Sequence, residues 1–227
     1  MRIAIPKGRL QDNTLALFAA AGYDVPTERD LRTRKLVFTR GGIEWIFVKD
    51  CDVPVYVEHG AADAGVAGFD QILEHDCGAY QALDLPFGRC RMMLIAAPGA
   101  PPLKKIATKY PRVTRQYLDE RALRAEIVPL GGSVELAAVL SLTSHVVDLV
   151  ETGETVRVHK LEIQDLVREI SPRLIIGRNA YRTNVKEMRE LIARVERVGA
   201  PALGRAGTTD VTSAGEDARA HTEEKRP

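Results

Sequence analysis

The sequence lacks the features that mark secreted proteins, cysteine-ligated metal sites and membrane proteins. Its three cysteines, Cys51, Cys77 and Cys90, are odd in number, widely spaced and fit no zinc or redox motif, so we expect free thiols in a reducing compartment. No window approaches the roughly 18 apolar residues of a membrane span. The start, MRIAIPKGRL, carries charges and has no long apolar core, which argues against a secretory signal. We therefore expect a soluble, cytoplasmic protein with no membrane association.

The chain also has almost no net charge. Lys and Arg number 32 and Asp and Glu number 31, which leaves a formal charge of +1. This balance argues against a protein that binds nucleic acid through a broad electrostatic field, although a local basic patch could still serve a phosphorylated small molecule. The hydrophobic content of 45% is ordinary for a globular protein, and 227 residues can bury one sizeable core or two small lobes.

The stretch at residues 135–156 contains a turn that suits a phosphate group. Residues 146–150 are mostly apolar and predict a buried strand, which stops at the sequence Glu-Thr-Gly-Glu-Thr of residues 151–155. Gly153 lets backbone N–H groups point into one concavity, the two threonines of the turn add hydroxyl donors, and Asp148 can hold a sugar diol or a metal. An isolated turn of this kind is more often a plain hairpin or loop, so the rest of the chain has to decide.

The N-terminal segment offers a second candidate anion site. Residues 2–5 predict a strand, and a basic turn with a glycine at residues 6–9 precedes a predicted helix at residues 11–21. This order places Lys7 and Arg9 near the carboxyl end of a strand and a helix N-terminus, where anions bind well. A surface turn that happens to be basic explains the segment equally well.

Strands and helices are predicted to alternate along the rest of the chain. Gly41 and Gly42 lie between two β-rich runs and predict a hairpin, and Pro54 lies in the first turn of a predicted helix. We predict further strands at 92–97, 104–107, 126–129, 156–161 and 173–178, and helices at 70–75, 114–121 (with Thr114 as its cap), 133–140 (with Ser133 as its cap) and 185–198. Short connections between them favour a parallel or mixed sheet covered by helices.

Several separate sequence blocks, in the same order, resemble the short form of ATP phosphoribosyltransferase, the first enzyme of histidine biosynthesis. The resemblance extends from residue 3 to about residue 198. It rests on IPKGRL at 5–10, DVPVYVEHGAADAGVAG at 52–68, LPFGRCR at 85–91, IATKYP at 106–111, and LGGSVE followed by VVDLVETGETV at 130–135 and 146–156.

The resemblance implies an α/β fold with two lobes, similar to the type II periplasmic binding proteins, and a substrate cleft between the lobes. Lobe one would comprise residues 1–90 and 178–199 and would hold the nucleotide, and lobe two would comprise residues 91–177 and hold the phosphoribosyl donor. The strand pattern agrees with two crossings between lobes, near Ala97 and Ile176. Residues 200–227 are rich in Gly, Ala, Thr and charge and are expected to be a disordered tail.

The resemblance also implies the reaction and the partners. The enzyme would be a pentosyltransferase, in which N1 of ATP attacks C1 of phosphoribosyl pyrophosphate and pyrophosphate leaves, with Mg²⁺ bound through the substrate phosphates. Short-form enzymes lack a C-terminal regulatory domain, and residues 200–227 are too few and too polar to build one. The resemblance therefore implies a hetero-oligomer with a histidyl-tRNA-synthetase-like regulatory subunit. It implies no nucleic-acid partner.

The same resemblance assigns roles to individual residues. The 5′-phosphate would bind Thr152, Gly153, Glu154 and Thr155. The ribose hydroxyls or Mg²⁺ would lie near the catalytic pair Asp148 and Glu135, with Asp148 as a candidate metal ligand. The ATP or pyrophosphate side would use Lys7, Arg9, Leu10, Lys49 and Asp70. The floor of the cleft would be shaped by Asp63, Gly65 and Gly68.

Some positions depart from the family pattern. Ser141 and Thr143 stand where the family usually has Gly and another small residue, and Val156 where it has Leu or Met. Lys49 replaces a frequent Arg and loses its bidentate fork, and Phe69 replaces a frequent Lys and loses a charge. Two alternatives stay open at this point: a two-lobed binding protein without catalysis, and another phosphoribosyltransferase with a similar phosphate turn.

Overall fold

The structure is a computed structural model that describes the backbone of residues 1–203 and the side chains up to residue 199. In chain order its elements are β1 (Arg2–Lys7), α1 (Gln11–Ala20), α2 (Glu28–Leu31), β2 (Val37–Arg40), β3 (Ile43–Lys49), α3 (Val53–Glu58), β4 (Ala64–Gly68), α4 (Phe69–Glu74), β5 (Tyr80–Asp84), β6 (Cys90–Ala96), β7 (Lys105–Thr108), α5 (Pro111–Glu120), β8 (Glu126–Pro129), α6 (Glu135–Val139), β9 (His145–Val150), α7 (Glu154–Val158), β10 (Glu162–Ile170), β11 (Pro172–Ile176), α8 (Arg178–Thr183) and α9 (Val185–Leu203).

The first lobe is built on a six-stranded sheet with the order β2-β3-β1-β4-β11-β5. Strand β1 runs parallel to β3 and β4, so the carboxyl ends of these three strands lie at one edge. Strand β11 is antiparallel to β4 and starts at that same edge, where Pro172 pairs with Gly68. The core beneath the sheet includes Phe18 and Trp45, whose rings meet edge to face with their centroids 5.3 Å apart.

The second lobe is built on a five-stranded sheet with the order β10-β6-β9-β7-β8. Strands β7, β8 and β9 are parallel, β6 is antiparallel to β9, and β10 is antiparallel to β6. Successive residues of β9 point to opposite faces: Val146 joins one apolar cluster and Val147 the other. Both faces of this mixed sheet are therefore covered, as its parallel strands require.

The chain crosses between the sheets twice, but not where the sequence placed the crossings. It leaves the first sheet after Asp84, enters the second at Cys90, and returns at Ser171. Strand β11, which was predicted to belong to the second lobe, pairs with β4 and β5 in the first. Its side chains Leu174 to Ile176 are fully buried, and a short apolar run of this kind does not indicate which of the two sheets the strand joins. Strand β10 was missed because five of its nine residues are polar or charged and only Val167 and Ile170 are buried.

Several local predictions are confirmed and others need correction. The β2–β3 hairpin and helix α3 with Pro54 in its first turn form as predicted. Residues 156–161 were predicted as a strand, but they continue helix α7 and end in a turn where Lys160 has a positive φ of 53°. The predicted caps Thr114 and Ser133 are also wrong, because α5 begins three residues earlier behind Tyr110 and α6 begins behind Val134.

The last helix extends beyond the predicted start of the tail. Helix α9 continues to Leu203, four residues into the segment expected to be disordered, and the rest of that predicted tail lies outside the described residues. Within residues 1–203, the structure contains no helix that combines the length and the apolar character needed to cross a membrane.

Candidate active site

Contacts between the lobes show that their two sheets present their carboxyl edges to one cleft. Arg9, which follows β1, reaches Glu151, which follows β9. Asp70, which follows β4, accepts a hydrogen bond from Tyr110, which follows β7. The ends of parallel strands collect polar groups at such an edge because the strands stop there and the turns are free to vary. Ligand-binding residues are therefore expected in this cleft.

The first lobe brings cations to its edge of the cleft. Lys7 and Lys49 are opposite each other in the register of β1 and β3, and both are exposed. Arg9 lies two residues beyond Lys7. Leu10 is buried and packs so closely on Gly88 that any side chain at position 88 would collide with it. Leu10 therefore holds the basic turn in place, and Lys7, Arg9 and Lys49 are exposed at this edge of the sheet.

Asp70 lies in the first turn of α4 and is 5% exposed. Its Oδ2 accepts hydrogen bonds from Gln71 Nε2 at 2.8 Å and from the Tyr110 hydroxyl at 3.0 Å. Gly68 has no room for a side chain, because an added Cβ would collide with the Asp70 carboxylate. The glycine therefore allows this carboxylate to fold back over the end of β4 and face the second lobe.

Tyr110 was not among the residues that the sequence singled out. Its ring is 1% exposed, and burial, followed by the charges of Asp70, Asp148 and Asp50, holds the pKa of its phenol far above the ordinary range. The hydroxyl therefore keeps its proton and acts as a donor. These charges also show that carboxylates from both lobes converge on the ring.

Asp148 lies near the end of β9, on the second-lobe side of the cleft. Burial raises the pKa of this carboxyl, and the charges of Glu135 and Asp70 raise it further, while the N–H of Leu149, at 2.8 Å from Oδ1, and the charge of Lys109 lower it. A carboxylate held in such surroundings is well suited to meet a cation or hydroxyl donors from a ligand.

The turn at residues 151–155, here called the phosphate turn, contains a glycine in the left-handed conformation. Gly153 has a φ of +77°, which a side chain would strain, and it stands directly before α7. The N–H of Glu154 donates to Thr152 Oγ1 at 3.4 Å. A depression of about 240 Å³ is lined by residues 149–156 and is large enough for a phosphate group.

Arg9 connects the two halves of the site. Its Nη1 lies 3.3 Å from Glu151 Oε2 and 3.3 Å from the carbonyl oxygen of Gly88, and its Nη2 lies 3.9 Å from Cys90 Sγ. Burial raises the pKa of the Cys90 thiol, which stays protonated beside the guanidinium. The basic turn of the first lobe and the phosphate turn of the second are thus in direct contact.

Not every predicted residue lies in the cleft. Asp63 precedes β4 and accepts the N–H of Arg2 at 2.7 Å, so it belongs to the opposite edge of the sheet. Its predicted role in shaping the cleft is wrong. Gly65 lies inside β4, where a Cβ would stand 2.9 Å from Val53 Cγ1, so it serves close packing within the lobe. Glu135 lies in the first turn of α6 and is near enough to Asp148 to act on its pKa.

The positions that depart from the family pattern have identifiable surroundings. Phe69 packs partly buried between the lobes, and the guanidinium of Arg173 lies 4.4 Å from its ring centroid. Ser141 has a φ of +59°, which explains why glycine is usual there. Thr143 is buried and donates to the carbonyl of His145 at 2.9 Å, at the start of β9.

Four further residues at the cleft were not singled out from the sequence: Asp50, Lys109, Tyr110 and Glu151. Each follows the end of a strand, namely β3, β7, β7 and β9 in that order. Their position directly after a predicted strand is the feature of the sequence that could have identified them. Within residues 1–203 no group of three or more His, Cys, Asp or Glu side chains is arranged to hold a metal ion by itself.

Comparison with known proteins agrees with this geometry. The family model described as HisG, ATP phosphoribosyltransferase, matches residues 49–197. The ATP phosphoribosyltransferase of Deinococcus radiodurans is 42% identical over 203 residues, which cover 89% of this chain and 92% of the relative. The structure of the ATP phosphoribosyl transferase (HisG:HisZ) complex from Thermotoga maritima matches with a TM-score of 0.78 and 31% identity, over 88% of this chain and 99% of that one.

A more distant match concerns the fold alone. The periplasmic aliphatic sulphonate binding protein SsuA from Escherichia coli matches with a TM-score of 0.54 and 12% identity, over 91% of this chain and 74% of that one. The predicted fold class, a two-lobed α/β fold similar to the type II periplasmic binding proteins, is confirmed.

Proposed function

The chain belongs to the ATP phosphoribosyltransferase family, and from this membership we propose which residues of the cleft carry out the family's reaction. The enzyme transfers the phosphoribosyl group of phosphoribosyl pyrophosphate to N1 of ATP and releases pyrophosphate, in the first step of histidine biosynthesis. A bond forms between N1 and C1 of the ribose while the bond from C1 to the pyrophosphate oxygen breaks. Negative charge therefore grows on the leaving group and positive charge on the ribose.

The phosphate turn binds the 5′-phosphate of the donor. The observation that carries this assignment is the left-handed Gly153, which shapes a depression at the cleft edge immediately after the strand that bears Asp148. Thr152 and Thr155 supply hydroxyl donors, and the backbone N–H of Gly153 supplies another. A fixed phosphate holds C1 at a constant distance from the attacking base, which favours reaction by positioning.

The basic edge of the first lobe holds the remaining anionic groups. Lys7, Arg9 and Lys49 bind phosphates of ATP or the pyrophosphate, and they stabilise the charge that develops as pyrophosphate leaves. Asp70 is buried and bonded to Tyr110, so it shapes the nucleotide side of the cleft by holding the two lobes together there. Leu10 is buried, so it acts by fixing the basic turn rather than by touching the ligand.

Mg²⁺ is the proposed cofactor, bound mainly through substrate phosphates. Asp148 fits such an ion because burial and the neighbouring charges of Glu135 and Asp70 raise its pKa, and a divalent cation would relieve that excess of negative charge. Asp148 and Glu135 would then hold the ion or the ribose hydroxyls. When bound, the ion supplies charge neutralisation at the phosphates.

A regulatory partner is proposed as well. The matching solved structure is titled as a HisG:HisZ complex, and this chain covers 99% of the matched chain. We propose that it likewise assembles with a histidyl-tRNA-synthetase-like regulatory subunit in a hetero-oligomer.

The experiment that tests these roles is an assay with ATP, phosphoribosyl pyrophosphate and Mg²⁺, with and without the partner and histidine, following phosphoribosyl-ATP by absorbance. We expect histidine to inhibit only when the partner is present. Thr155→Val and Asp148→Asn should each lower kcat/KM by at least about tenfold. Thr155→Val removes a hydroxyl donor to the 5′-phosphate, and Asp148→Asn removes a negative charge beside the ribose.

The matched controls are Thr39→Val on β2 and Asp119→Asn on α5, two exposed positions outside the cleft, and both should retain full activity. Normal turnover and normal substrate affinity in both Thr155→Val and Asp148→Asn would rule out the assigned roles of the phosphate turn and Asp148.

A further inference from the structure

The contact between Arg9 and Glu151 bears on how the site takes up and releases its anionic ligands. Arg9 belongs to the basic turn of the first lobe, and Glu151 is the first residue of the phosphate turn of the second. Their ion pair, with Arg9 Nη1 3.3 Å from Glu151 Oε2, crosses the cleft. The side chains are 44% and 54% exposed, so a ligand in the cleft can approach both.

A carboxylate and a phosphate make the same kind of bond with a guanidinium. Both present paired oxygens to the planar fork of arginine, so a phosphate oxygen and Glu151 Oε2 are alternatives for the same Arg9 N–H. Glu151 also adds a negative charge beside a turn that is proposed to receive a phosphate, and like charges repel. Both effects act against ligand binding.

The other partners of Arg9 do not interfere in this way. The carbonyl oxygen of Gly88 and the thiol of Cys90 carry no net charge, and they lie on the segment that crosses between the lobes. They hold the guanidinium in place while Glu151 alone among these contacts brings a negative charge. Exchange of Glu151 for a phosphate therefore leaves Arg9 anchored.

We propose that Glu151 is an internal competitor for Arg9 that weakens the binding of pyrophosphate and so promotes its release. The inference rests on the proposed role of Arg9 in binding pyrophosphate or substrate phosphates. As pyrophosphate dissociates, Glu151 re-forms its ion pair with the guanidinium of Arg9. This competition shortens the time that pyrophosphate stays bound. It is a residue that tunes ligand affinity and takes no part in bond making or breaking.

The test is titration calorimetry of the full chain with inorganic pyrophosphate and Mg²⁺, using wild type, Glu151→Gln, Arg9→Gln and the double variant. Glu151→Gln should bind pyrophosphate about two- to fivefold more tightly, the range that removal of an exposed ion pair allows. Arg9→Gln should bind more weakly. Because Glu151 acts mainly through Arg9, adding Glu151→Gln to Arg9→Gln should recover clearly less affinity than Glu151→Gln gains in the wild-type background.

Turnover gives a second readout that a purely structural role would not change. Pyrophosphate should inhibit Glu151→Gln at a lower concentration than wild type. Glu154→Gln is the matched control, because it removes the same charge from the same turn and Glu154 forms no ion pair with Arg9 in the described part of the structure. Its effect on pyrophosphate affinity should be the same in the wild-type and Arg9→Gln backgrounds.

Weaker or unchanged pyrophosphate binding by Glu151→Gln overturns the proposal, because Glu151 would then orient Arg9 rather than compete for it. An equal gain in the Arg9→Gln background also overturns it, since the effect would be a general one of charge. If wild type turns over but binds pyrophosphate no better than Arg9→Gln does, the proposed role of Arg9 fails and this inference fails with it. Normal wild-type binding with no gain in Glu151→Gln refutes the inference alone.

Discussion

At one end of the cleft, helix α4 of the first lobe packs on helix α5 of the second, whereas elsewhere Arg9 of the first lobe reaches Glu151 of the second as an open ion pair. The packed contact is buried: Asp70 is 5% exposed and Tyr110 1%, and Phe69 and Leu73 join the apolar cluster of the second lobe. Glu74 also accepts the N–H groups of residues 112 and 113, at 3.0–3.1 Å, at the start of α5. The ion pair is about half exposed on both sides.

Because the two contacts differ in burial, we infer different roles for them. A hydrogen bond to a buried charge is costly to break, because the charge loses a partner where water cannot replace it. An exposed ion pair exchanges readily, because water and ligands compete for both groups. The α4–α5 contact therefore fixes the relation of the lobes, and the Arg9–Glu151 contact is the one that a ligand can replace.

The largest effect is expected from breaking the buried contact with Tyr110→Phe. The variant keeps the ring but removes the donor from Asp70 Oδ2, which then retains only Gln71. We expect a loss of about 1.5–3 kcal/mol in the free energy of unfolding, the range for a hydrogen bond to a charged group. Urea unfolding of the full chain measures it.

Tyr117→Phe is the matched control for that prediction. The Tyr117 hydroxyl donates to Asp165 at 2.8 Å within the second lobe, and Asp165 is also held by Arg121 Nε at 2.7 Å. The Asp165 side chain is partly exposed, so water can replace the lost donor. Equal losses in the two variants would show that burial across the lobes adds nothing.

A smaller effect, of opposite sign, is expected from Asp148→Asn. Burial raises the pKa of Asp148 in the folded protein, so between its unfolded and folded pKa values the folded state holds the extra proton. Stability therefore falls as pH rises through that window, and the charged carboxylate costs stability above it. Asparagine keeps an acceptor for the N–H of Leu149 without the charge.

Asp148→Asn should accordingly melt at a higher temperature than wild type at pH 7, and the gap should close as the pH falls toward 4. A gain of about 1 kcal/mol would raise Tm by about 2–4 °C in a chain of this size. Thermal melts at several pH values measure the gap, with Asp119→Asn as the exposed control. A lower Tm for Asp148→Asn at pH 7 would mean that its charge has a stabilising partner.

The parts of the site that the sequence predicted are those built from neighbouring residues. The phosphate turn and the basic turn each show a strand, a glycine and a helix in immediate succession, and local rules are enough to place Gly153 and Lys7 at a strand end. The role that the resemblance gave Asp63 is wrong, because Asp63 precedes β4 and lies at the other end of that strand from the cleft. Five residues of strand, at about 3.3 Å each, separate it by about 16 Å from Gly68.

The parts that were missed depend on contacts between distant segments. Tyr110 contributes to the site because its hydroxyl donates to Asp70, which lies 40 positions away in the sequence. The residues around either position do not predict this contact. Strand β11 was assigned to the wrong lobe for a related reason, since its apolar run fits the interior of either sheet. Local pattern sets the type of an element, but the pairing of strands sets its place.

The smallest effect on stability is expected from the Arg9–Glu151 pair. Arg9→Gln, Glu151→Gln and the double variant should each unfold within about 0.5 kcal/mol of wild type, with a coupling energy of similar size, because the pair is exposed and screened by salt. Urea unfolding at low and high salt measures this double-mutant cycle, and the exposed cross-lobe pair Arg112–Asp76, at 2.7 Å, serves as its control. A coupling energy above about 1 kcal/mol would mean that the contact holds the lobes together. It would then be costly for a ligand to displace Glu151, and the two contacts across the cleft would no longer differ in kind.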